Sequence, residues 1–210
     1  MRLPLYCDTA PRLPLPRPQI AASSSSPDTL PELRPARVHS FDALLHEVNP
    51  AAAHVDGPCL RALASWLMTL PEQEADAVLE PVLARVGDLG TMLVDSDWDL
   101  DPGLRARAER VLAYVERDDD LIPDRTPVIG LLDDALLLDL AWPAFAREVE
   151  NYLDFCEFRR AGHLDGVDPS HRQQWLDERG LEAAWWNYQM QVRGMHFIDV
   201  TPPDRLFRVC

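Results

Sequence analysis

The sequence predicts an all-α protein: a compact helical bundle with a disordered proline-rich N-terminal tail and a short extended C-terminal arm. Three observations carry that expectation. Apolar residues recur at i, i+3, i+4 and i+7 in successive blocks after residue 40. Caps and prolines punctuate those blocks, and strand-like alternation is confined to His196–Val200. With 210 residues, 47% hydrophobic and 26% charged, the chain suffices for one folded domain with tails.

Residues 1–37 hold Pro4, Pro11, Pro14, Pro16, Pro18, Pro27, Pro31 and Pro35 and the serine run Ser23–Ser26, with no amphipathic period, so a disordered or polyproline-like tail is expected. Five arginines against three acidic residues give this tail +2, so the body carries −17 within a net charge of −15. Its RLPLPRP string suits an aromatic groove, although a linker is the commoner use.

The folded region is expected over 38–210. Ser40 caps a first helix carrying Phe41, Leu44, Leu45 and Val48. A second places Leu60, Leu63, Trp66, Leu67 and Leu70 together before Pro71. A third runs through Ala75, Val78, Leu79, Val82, Leu83 and Val86, kinked or restarted at Pro81. After the turn-rich DSDWDLDPG, a fourth turns Leu104, Ala108, Val111, Leu112 and Val115 inward. A later helix starts near Trp142-Pro143, with Phe145, Val149, Tyr152, Leu153 and Cys156 as its seam and Phe155 and Phe158 widening it. Asp168-Pro169 opens the last helix, interrupted near Gly180, with Trp185, Tyr188 and Val192 on its buried stripe.

Between the fourth and later helices lies the locally distinctive stretch, DLIPDRTPVIGLLDDALLLDL from Asp120 to Leu140. Pro123 cannot continue a helix, so a polar loop follows, and helix restarts either at Pro127 with Thr126 as cap or at Leu131 after Gly130. From Leu131 to Trp142 nearly every position is apolar, which predicts a central helix with neighbours on most sides. Adjacent helical residues point about 100° apart, so Asp133 and Asp134 cannot share a direction. A buried carboxylate needs donors, a cation or a proton. One reading is a structural clasp, in which Asp133 or Asp134 accepts amide hydrogens from the loop and Asp120 or Asp124 caps a turn. The other gathers Asp120, Asp124, Asp133 and Asp134 around a hard divalent cation such as magnesium, manganese or calcium.

Residues 117–134 resemble the signature of the YkvA-like family, a group of bacterial proteins with a domain of unknown function. Asp120, Leu121, Ile122, Pro123, Asp124, Pro127, Val128, Ile129, Gly130, Leu132, Asp133 and Asp134 stand where that pattern has them; Arg117-Asp118-Asp119 and Leu131 depart from it. With the flanking helices the likeness covers about Leu104 to Trp142. It implies a helical hairpin around the motif, followed here by a helical extension over 143–193, and it implies no reaction.

Composition narrows the function. All 20 basic residues are arginine, so phosphate-loop, Schiff-base and kinase-type lysine chemistry is excluded. A charge of −15 repels nucleic-acid backbones and favours a basic protein partner or a cation. Cys7, Cys59, Cys156 and Cys210 are scattered, as in a cytoplasmic protein with reduced thiols. Cys210 lacks the three following residues of a prenylation signal, and prolines interrupt any signal-peptide core near the start. No run of about 18 apolar residues predicts a membrane span, which leaves peripheral contact as the membrane option. His39 with His46, and His163 with Asp165 and His171, are candidate zinc ligands beside the default of capping or exposed histidines. Trp186 is the candidate partner surface. The expected function is therefore a protein-interaction or adaptor module, inhibitor-like or immunity-like in one version, with no cofactor; the alternative is a metal-dependent hydrolase built on the aspartate group.

Overall fold

The computed structural model describes residues 33–118 and 121–194. Among them the chain is all-helical: α1 (Pro35–Val48), α2 (Gly57–Leu67), α3 (Glu72–Leu83), α4 (Arg85–Val94), α5 (Pro102–Val115), α6 (Leu132–Ala141), a 3-10 turn at Trp142–Ala144, α7 (Ala146–Ala161) and α8 (Ser170–Gly194). None of these helices is long and apolar enough to cross a membrane. The expected tail up to residue 32 and the arm over 196–200 lie outside the described residues, as do Asp119 and Asp120.

The chain forms two compact units, Met1–Glu157 and Phe158–Cys210. In the first, α6 is the central helix. Leu132, Ala135, Leu136, Leu137, Leu138 and Ala141 are all buried, so the helix has no polar stripe, and α1, α3 and α5 pack against it. Each such leucine stabilises the fold by roughly 1.5–3 kcal/mol. Polar ties close the helix ends onto this core. Asn49, past the end of α1, donates to the Leu140 carbonyl at 2.7 Å, and Arg105 donates to the Leu93 carbonyl at the end of α4 at 2.8 Å. Asp56 and Asp101 cap α2 and α5 by accepting the Cys59 and Leu104 amides, with Pro58 and Pro102 in the first turns.

Several boundaries differ from the sequence reading. α1 begins at Pro35, and Ser40 lies inside it with its hydroxyl donating to the Ala36 carbonyl. A proline is a favoured first residue because its missing N–H would be unpaired there anyway. Pro81 stays within α3; the break comes at Ala84, and the residues after it form α4 as a separate helix. Trp66 and Leu70 are half-buried, Leu70 beyond the end of α2. On α7 the buried seam is Val149, Tyr152 and Phe155, whereas Leu153 is exposed. The seam packs on Trp98, whose ring meets Tyr152 edge-on at 5.6 Å and Phe155 at 5.4 Å.

Before α6 the chain from Pro123 to Leu131 is a run of turns, and α6 starts at Leu132, matching the later of the two expected restarts. Thr126 does not cap the helix; its hydroxyl donates to the Pro123 carbonyl at 2.6 Å. Val128 has φ 70°, a left-handed conformation that costs a β-branched residue about 1–2 kcal/mol. The chain passes so tightly there that a Cβ on Gly130 would overlap the Asp124 carbonyl group. Only glycine fits.

In the second unit, Asp168 accepts the Ser170 amide at 2.8 Å at the start of α8. That bond holds the Asp168 carboxyl below its usual range. α8 then runs unbroken through Gly180, contrary to the expected interruption. His171 and Trp175 are buried, and the Arg179 guanidinium lies 5.4 Å from the Trp175 ring centre.

Candidate functional site

Asp133 is fully buried in the first turn of α6, where a negative charge also suits the helix dipole. Its Oδ2 accepts the Tyr114 hydroxyl at 2.8 Å and the Leu121 and Ile122 amides at 3.2 Å each. One carboxylate oxygen thus fastens the loop after α5 to both α5 and α6. Three donors aimed at that oxygen repel a cation, so Oδ2 is poorly suited to metal ligation. Asp134, beside it, is also buried, and adjacent helical positions lie about 100° apart. Asp124 Oδ1 is buried with no hydrogen-bond partner among the described residues and caps no turn. Asp120 falls outside the described residues.

A second buried polar pair spans the core. Arg85 of α4 donates to Asp139 of α6 at 3.2 Å, both side chains 6% exposed, and its guanidinium lies 4.8 Å from the Trp142 ring centre. Asp139 is the acidic residue in the otherwise apolar second half of α6, and burial there calls for a cation. Which arginine answers it is a tertiary fact.

The ligand-type side chains that do converge among the described residues are Asp42, His46 and His54, whose candidate donor atoms all lie within 4.8 Å of one another. Asp42 and His46 are four apart on α1 and share a face. Asp42 Oδ1 accepts the Val55 amide at 2.8 Å, and Oδ2 sits 2.9 Å from His54 Nδ1. His46 Nδ1 is 2.8 Å from the Asp42 carbonyl oxygen and 3.5 Å from its Oδ1, while Nε2 is 3.1 Å from the Ala52 carbonyl oxygen. The two imidazoles stack at 4.0 Å. Burial alone would raise the Asp42 carboxyl, but the Val55 amide and the two histidines together bring it below its usual value. His39, expected beside His46, is exposed and not part of the group; His163, Asp165 and His171 do not converge either. The legible signal was the Asp-x3-His spacing on a helix, and His54 was out of reach of it.

The third feature is α8. Leu181, Trp185, Tyr188 and Val192 follow the i, i+4, i+7, i+11 seam expected of a buried stripe, yet they are 73%, 54%, 64% and 50% exposed. Trp186 and Met190 beside them are exposed as well. The expectation that Trp185 and Tyr188 are core residues is therefore corrected. The pattern records an amphipathic helix, and a pattern alone does not say whether its apolar face is covered.

Comparison of the chain with protein-family models, with curated proteins and with solved structures gives no match in any of the three.

Proposed function

We propose that the chain is a protein-interaction module whose recognition element is the apolar face of α8. The reading rests on one observation, the exposed ridge of Leu181, Trp185, Tyr188 and Val192 flanked by Trp186 and Met190. Spacing of i, i+4, i+7 and i+11 is how an amphipathic helix anchors in a groove, and tryptophan and tyrosine are the residues that most often dominate such contacts. A basic partner is favoured by the net charge of −15. Membrane attachment is less suited to α8, because its acidic and basic residues are balanced where surface-binding helices are rich in Lys and Arg. The cytoplasm is the proposed compartment; Cys59 and Cys156 are in no disulfide. The likeness of residues 117–134 to the YkvA-like signature is carried as a proposal of kinship and adds no activity.

The test is native co-purification of the full chain from its host beside a variant carrying Leu181→Asp, Trp185→Asp and Tyr188→Asp. The substitutions lie on exposed positions, so thermal melting should hold while stoichiometric partners are lost. An unchanged partner set, or none with either protein, sinks the reading. Flotation of the full chain with anionic liposomes would favour a membrane surface instead.

A further inference from the structure

We propose that Asp42, His46 and His54 form a binding site for a divalent transition-metal ion of the zinc type. The argument begins with the His46 ring. Its two nitrogens face two carbonyl oxygens, Asp42 O at 2.8 Å and Ala52 O at 3.1 Å. Carbonyl oxygens only accept, and a neutral imidazole carries one proton. Whichever nitrogen holds that proton, the other aims its lone pair at an oxygen. A metal ion at the unprotonated nitrogen is one arrangement that relieves this contact; a second ring proton is the other.

The surroundings say which nitrogen. Nε2–H donating to a backbone carbonyl is the usual second interaction of a metal-binding histidine, since it fixes the ring and leaves Nδ1 to the metal. Beside Nδ1 stands the Asp42 carboxylate, 3.5 Å away and held in place by the Val55 amide, and the same carboxylate lies 2.9 Å from His54 Nδ1. Two imidazoles and one carboxylate suit zinc and its neighbours rather than magnesium or calcium, which want oxygen donors throughout. Three protein ligands leave a fourth position for water.

The fit requires a small adjustment. Zinc bonds of about 2.0–2.2 Å bring ligand atoms closer together than the present limit of 4.8 Å, and a metal must lie in the plane of each ring it binds, which stacked rings cannot share. His54, 82% exposed and on a loop, can swing to meet both demands, and the His46 ring must turn to take Nδ1 off the Asp42 carbonyl oxygen 2.8 Å away. The bound ion would pin the α1–α2 connection to α1. It would also stand beside a surface groove of about 400 Å3 bordered by Val38, His39, Asp42, Val55, Asp56 and Arg61.

Calorimetric titration of the chelator-treated full chain with Zn2+, repeated with Co2+ by absorption and with Mg2+, tests this. One Zn2+ per chain is expected, with a nitrogen- and oxygen-ligated Co2+ spectrum and no Mg2+ uptake. His54→Ala, on an exposed residue that does not threaten folding, and Asp42→Asn should each weaken binding at least about tenfold, while His39→Ala leaves it unchanged. Zn2+ should raise the melting temperature of the wild type and not of His54→Ala. Absence of Zn2+ binding overturns the proposal. Binding that survives His54→Ala undiminished, or a thiolate-type Co2+ spectrum, overturns it equally.

Discussion

Tyr114 donates its hydroxyl to Asp133 at 2.8 Å inside the core, so α5 and α6 are joined through the same oxygen that holds the Leu121 and Ile122 amides. Asp133→Ala leaves three buried donors without their shared acceptor and is expected to cost about 3 kcal/mol or more. Tyr114→Phe removes one buried hydrogen bond and should cost about 0.5–1.5 kcal/mol. In urea unfolding the double variant should lose less than the sum of the two, because they share one oxygen. Strict additivity would show that Tyr114 and Asp133 act independently.

Gly130→Ala is expected to destabilise by at least about 2 kcal/mol, since its Cβ would collide with the Asp124 carbonyl and the turn must open. A Cβ on Gly90, within α4, would meet nothing within 4 Å, and Gly90→Ala should stabilise by about 0.5–1 kcal/mol through helix propensity. Thermal melts moving in the same direction for both would contradict the geometry of the turn.

The Arg85–Asp139 pair predicts an asymmetry. Arg85→Ala removes the cation that faces the buried Asp139 carboxylate and should cost about 3–5 kcal/mol. Joint replacement by Arg85→Met and Asp139→Leu should recover most of that loss, because the remaining side chains are apolar and of similar volume. Equal instability of the single and double variants would mean that packing on Trp142, rather than charge, dominates.

Asp42 predicts a share of acid lability. Its carboxyl is lowered in the folded chain, so its contribution to stability is complete above the unfolded value of about 3.9 and is lost as pH falls through the folded value. Asp42→Asn should therefore narrow the stability gap to wild type below about pH 4 and widen it above. A pH-independent gap in denaturant midpoints would argue against the ionised form as the stabilising one.

The helices were legible because apolar periodicity, caps and prolines are local properties. α6 was recognisable as central from its unbroken apolar run, and Asp133 and Asp134 as a pair of which any buried member demands donors, from the cost of burying charge. Even so, local rules misplaced the start of α1 and the α3/α4 break, where Pro81 is accommodated inside a helix and the chain turns three residues later.

Read without its fold, the chain already declares its helices, its acidic charge, the absence of lysine chemistry and the position of the aspartate turn. Which partners meet is settled at the tertiary level: Tyr114 with Asp133, Arg85 with Asp139, and His54 with the Asp42–His46 pair across the α1–α2 connection. So is the exposure of the aromatic stripe on α8. Periodicity reports that a helix has two unlike faces, whereas burial and long-range pairing depend on what the rest of the chain brings against them.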